Sequence, residues 1–150
     1  MKGKIMNLPE YVTVDEVKRV CKEIGLSDWS ELTDATISKE DAATVLNVVN
    51  TQRMDIPLEE FHKGLEVELE HGTRYEDANV TNNHPILTGR IVLAHLKETM
   101  DYYRRIDVAE VEGDLLKAVL SKDPNKIGEK YRKLIEVEKA LNQSVADQLK

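Results

Sequence analysis

The sequence predicts an all-α protein: a compact bundle of five to six helices in a single domain, ending in a helical hairpin. Three observations point there. Apolar residues recur at steps of three and four along most of the chain. Ser, Thr, Asp and Pro stand where these stretches begin, and Gly where two of them stop. A length of 150 residues with 41% hydrophobic residues suits one domain with one core. Aromatic residues are only 5%, so Leu, Ile, Val and Ala must build most of that core.

The first helix opens at the capping box TVDE, with Thr13 as N-cap. It aligns Val14, Val17, Val20, Cys21 and Ile24 and stops at Gly25. Ser27 is placed to cap a short turn, DWSEL, whose Trp29 is a core anchor. Ser38 opens the second helix, which carries Ala42, Val45, Leu46 and Val49; its β-branched run leaves a strand over 42–50 as the alternative. Pro57 starts a third helix ending at His71, with Gly72 as its stop. Residues 73–84 lack periodicity and read as a loop, where Asn79, Thr81, Asn82 and Asn83 favour local side-chain bonds to the backbone. Pro85 begins a fourth helix reaching about Ile106, so residues 57–106 form the central pair. A fifth helix spans about 108–120, and a sixth runs from Pro124 nearly to the end, making a hairpin over about 108–148.

In the last helix Ile127, Tyr131, Leu134, Leu141 and Val145 form a heptad stripe, with Glu138 and Gln148 at the remaining seam positions. Packing against Leu115, Leu116, Val119 and Leu120 of the fifth helix explains it, and so does self-association.

Composition narrows function. The formal charge is −7, from 28 acidic and 21 basic residues, with no basic run to displace counterions, which argues against nucleic acid as partner. The single cysteine, Cys21, excludes an intramolecular disulfide and a cysteine-based zinc site. The opening MKGKIMNLPEY lacks an apolar stretch of signal-peptide length, and nothing reaches the length of a membrane span. A cytoplasmic, acidic, soluble protein is expected, in which the sequons at 79–81 and 142–144 are coincidences. GxSxG, HExxH, Walker and GxGxxG motifs are absent.

Two histidines carry what chemistry there is. Glu68 and His71 stand three residues apart on the third helix and can converge on one point. Glu-x-x-His is also the spacing of carboxylate-bridged metal bundles. On the fourth helix, Ile91, Val92, His95, Leu96, Thr99, Tyr102, Tyr103 and Ile106 fill one arc at about 100° per residue. His95 lies near its middle and is expected to be buried and neutral, with Glu98 one turn on. Two readings follow. In one, His95, Tyr102, Thr99 and Glu68 form a buried polar network that fixes helix packing. In the other, Glu68, His71, His95 and Glu98 hold a divalent metal such as zinc, iron or manganese, with hydrolytic chemistry conceivable. His62 and His84 read as surface and loop residues without a role.

The words GLEVELEHG (64–72) and NVTNNHPILTGRIVLAHLKETMDYYRRI (79–106) resemble the domain of unknown function 5661 family, short microbial and phage-encoded proteins. The resemblance rests on Glu68 to Gly72, Asn79 to Thr81, Ile91, Ala94 to Leu96, Glu98 and Asp101 to Tyr103. It departs at Asn82, Asn83 and His84, where the family often has acids, and at Thr99-Met100. It implies that ELEHG and AHLKE belong to one unit and implies no activity. The expected function is a non-enzymatic interaction or structural module, joining a protein partner or itself through the C-terminal stripe; the metal-binding protein is the alternative.

Overall fold

The computed structural model describes residues 6–150. Residues 1–5, which open the stretch read above for a leader, lie outside them. The described chain is helical: α1 (Val14–Ile24), α2 (Lys39–Val49), α3 (Leu58–Thr73), α4 (Pro85–Glu98), α5 (Tyr102–Ser121) and α6 (Pro124–Gln148), with 3-10 turns at Trp29–Glu31 and Glu76–Ala78. Among the described residues there is no strand, and no helix is long and apolar enough to cross a membrane. The chain divides into two compact units, one up to Leu93 and one from Ala94 onward, and the division falls within α4.

The first unit is built as its sequence dictates. Thr13 Oγ1 accepts the Glu16 N–H at 3.1 Å, and Gly25 closes α1 at φ 80°, a conformation that costs glycine nothing. Asp28, rather than Ser27, caps the turn at Trp29 through the Ser30 N–H. Ser38 Oγ accepts from Asp41 N at 3.0 Å and starts α2, so the β-branched run at 45–49 is helical. Capping together with a one-sided apolar face outweighs strand propensity there. The core comprises Val17, Val20 and Cys21 of α1, Trp29, Ala42, Val45 and Val49 of α2, Phe61, Leu65 and Leu69 of α3, and Val92 of α4.

Three boundaries differ from the sequence reading. α3 does not stop at Gly72 but runs through it to Thr73. α4 does not reach Ile106; it ends at Glu98, and after Thr99–Asp101 α5 begins at Tyr102, earlier than the periodicity suggests. The apolar arc continues across the break because Leu96 and Tyr103 are both buried, so hydrophobic spacing alone does not register a three-residue interruption.

In the second unit α5 and α6, joined by Lys122 and Asp123, pack together as the C-terminal hairpin. Lys122 turns the chain at φ 56°, and Asp123 Oδ1 accepts from the N–H groups of Asn125 and Lys126, so Pro124 enters at the first helical position. Lys130 Nζ lies 3.5 Å from Asp114 Oδ2 and marks the register of the pair.

Gly89 marks a close approach within the first unit. A Cβ there would lie 2.6 Å from Val45 Cγ1 and 3.2 Å from Val49 Cγ1, so α4 reaches α2 only because position 89 has no side chain. Branched valines in a filled core cannot turn away. Gly89→Ala is expected to lower stability by about 1–3 kcal/mol despite alanine's better helix propensity. Urea denaturation checks it; an alanine variant at least as stable as wild type would contradict this packing.

Candidate functional site

The residues singled out by sequence fall in both units. In the first, His71 Nδ1 lies 3.0 Å from the Glu68 carbonyl oxygen and 3.6 Å from Glu68 Oε2. The His71 side chain is 63% exposed and that of Glu68 is 10% exposed. The Glu-x-x-His spacing thus gives one local pair at the end of α3. His95 and Glu98 belong to the second unit, where His95 is half-buried and Glu98 exposed. Among the described residues, no group of three or more His, Cys, Asp or Glu side chains is placed to hold a metal ion.

Beside ELEHG the asparagine loop does structural work. Asn79 Oδ1 accepts the N–H groups of Thr81 and Asn82, the local bonding expected of asparagine in a turn. Asn82 and Asn83 both take left-handed backbone, at φ 48° and 61°, which asparagine tolerates better than most residues. Asn82 Nδ2 donates to Glu10 Oε1 at 2.7 Å and to the Val12 carbonyl at 2.6 Å, holding the segment that leads into α1. Asn83 is buried and donates to the Trp29 carbonyl at 3.1 Å. A Cβ on Gly72 would stand 2.0 Å from Asn83 Oδ1. The glycine of ELEHG therefore admits the Asn83 amide, and the two sequence words meet at that point.

His84 is the functional-looking residue that periodicity missed. It is only 7% exposed. Its Nδ1 accepts from the N–H groups of Ile86 and Leu87 at 3.2 and 3.3 Å, so the imidazole caps α4 in the way an aspartate or serine would. The available signal was its place directly before Pro85, since proline favours the first helical position and puts the preceding residue at the cap. Burial pushes the His84 pKa down, opposed by Glu16, whose Oε1 lies 4.0 Å from Nε2.

The second unit has a denser cluster. The His95 ring stacks on Tyr102, with centroids 4.1 Å apart and planes at 17°, and its Nδ1 lies 3.0 Å from the Tyr103 hydroxyl. Tyr102 thus meets His95 through its ring face, while the hydroxyl beside the imidazole comes from Tyr103. Thr99 Oγ1 donates to Asp101 Oδ1 at 2.6 Å. Asp101, 1% exposed, is the centre of the cluster. Arg105 grips it with Nε on Oδ1 at 2.8 Å and Nη2 on Oδ2 at 3.0 Å, and Gln148 Nε2 reaches Oδ2 at 3.2 Å from the end of α6. The Arg105 guanidinium, working against burial and aided by Thr99 and Gln148, holds the Asp101 carboxyl at about 2. The arrangement ties the end of α4 to the start of α5.

Two pH responses follow. For His84 the neutral form is the cap, and its folded pKa lies below the 6.5 of an ordinary histidine. The unfolded chain then binds more protons as pH falls below 6.5, so stability present above that value is lost with acidification. His84→Asn keeps a capping acceptor and should not share this loss between pH 6.5 and 5; parallel urea titrations of the two proteins decide it. For Asp101 the depressed pKa contributes stability above 3.8 that disappears as pH falls through about 2. The contribution should be on the order of 1–2 kcal/mol, since Arg105 is half in solvent and screened. Asp101→Asn should cost that much at pH 7 and nearly nothing at pH 2, and an equal deficit at both would refute the assignment.

No curated protein and no solved structure matches the chain. Residues 17–112 match the family described as "Protein of unknown function (DUF5661)". The match takes in both groups of residues described above and ends at Glu112, within α5. It spans well over half of the chain, and the protein therefore belongs to the DUF5661 family.

Proposed function

We propose that this protein is a non-enzymatic interaction module and that the outer face of the α5–α6 hairpin is its contact surface. One observation carries the reading: large apolar side chains stand in solvent on this helix pair. Leu116 is 59% exposed, Leu120 72% and Tyr131 57%, and Val119 and Ile135 are also exposed. At about 100° per residue, Leu116, Val119 and Leu120 fall within one arc of α5, on the side away from buried Ala118. Apolar residues exposed singly are ordinary, but several on one face mark an interaction site.

The sequence placed the contact on the heptad stripe of α6. In the hairpin Ile127, Leu134, Leu141 and Val145 are half-buried and the buried residue is Val137, while Tyr131 and Ile135 stay out. Those exposed residues and the α5 face support an interaction role for the hairpin as a whole. A photoreactive amino acid at position 120, introduced in cells of the protein's own source, should give a discrete cross-linked protein product. The same label at exposed Glu23 should not. Equal products at both positions, or none at 120, would overturn this function.

A further inference from the structure

The geometry points to a second copy of this chain as the occupant of that face, with the two α5 helices antiparallel about a two-fold axis passing between positions 114 and 115. The inference rests on the reading that the outer face of α5 is a contact surface. Ala109, Gly113, Leu116 and Leu120 are all exposed and follow one another at steps of four, three and four, the spacing of a helix–helix seam. A Cβ built on Gly113 has nothing within 4 Å, so no part of the described chain covers the middle of this seam.

The seam is self-complementary in size. Reversed on itself about that axis, it sets Gly113 against Leu116 of the partner subunit and Ala109 against Leu120 of the partner subunit. Each small residue faces a large one, twice over, as an isologous contact requires. It is also complementary in charge. In an antiparallel pair, flanking positions on the same side of the seam face each other. Glu110 and Lys117, each one residue beyond a seam position, lie on the same side of it and are both exposed. The axis brings Glu110 beside Lys117 of the partner subunit, and Lys117 beside Glu110 of the partner subunit. Opposite charges there favour this orientation and register over slipped alternatives. A seam three turns long buries less than the ~1,200 Å² of a stable interface, so the dimer should be weak, dissociating at roughly tens of micromolar.

Sedimentation velocity of the full chain from about 1 μM to 1 mM tests the proposal across the expected range. Wild type should pass from monomer to dimer. Gly113→Gln separates an interface role from a structural one. Glutamine favours the helix and meets open space in the monomer, so Tm should rise by roughly 2–4 °C. The same side chain would strike Leu116 of the partner subunit and weaken dimerisation about tenfold or more. Glu110→Lys and Lys117→Glu should each weaken it about threefold to tenfold, and the double variant should return to near wild type. A chain monomeric at every concentration, or a dimer indifferent to Gly113→Gln, would overturn the two-fold seam. If such a monomer still gives a cross-linked product of another protein from position 120, only the second-copy inference falls. If it gives none, the contact-surface reading falls with it.

Discussion

The second unit depends on one buried carboxylate. Asp101 sits where α4 has ended and α5 has not begun, and a carboxylate buried there without partners would cost several kcal/mol. Its partners come from three places: Thr99 just before it, Arg105 one turn into α5, and Gln148 at the far end of α6. Satisfying the carboxylate therefore sets where α5 starts. Since Cβ direction rotates with every residue, that start sets which face of α5 packs on α6 and which remains outside. Leu116 and Leu120 lie on the face that remains outside.

In the first unit the corresponding constraint is space rather than charge. Gly72 and Gly89 both lie inside helices, where glycine costs up to about 1 kcal/mol relative to alanine. Each allows a contact that a methyl group would forbid: the Asn83 amide at Gly72, the α2 valines at Gly89. Asn82, Asn83 and His84, where relatives were expected to carry acids, are occupied in tethering the segment before α1, meeting the Trp29 backbone and capping α4. In this chain those three positions serve the architecture.

Much of the fold was legible because helix signals are local. Thr13, Gly25, Ser38, Pro57, Pro85 and Pro124 mark ends through bonds or clashes within a few residues, and the corresponding helix ends lie at or beside them. What was not legible depends on contacts far apart in sequence. Gly72 looks like a stop signal until Asn83 arrives beside it. The apolar period runs on across residues 99–101, and Asp101 is satisfied inside by Thr99 and Arg105 nearby together with Gln148, 47 positions away. Gln148 itself had read as a polar interruption of the α6 stripe. The histidine cluster was half legible: angle along the helix brought Tyr102 to His95 but passed over Tyr103, because α4 and α5 are separate helices.

The amphipathic pattern on α6 also shows what a heptad stripe can and cannot say. It marks residues that prefer contact with another helix without naming the helix. Within the hairpin α5 and α6 pack together, and Leu134 and Leu141 of the stripe are half-buried while Tyr131 stays exposed. α5 carries the complementary surplus: Ala118 is buried on one side, while Leu116 and Leu120 stand out on the other. Gly113 lies among them, and unlike Gly72 and Gly89 it meets no side chain of the described residues that would need the room. A glycine in mid-helix with nothing close by weakens the isolated chain and gives it no contact in return. A neighbour pressed against that face would supply one, and the leucines three and seven residues further along would then lose their cost in water as well.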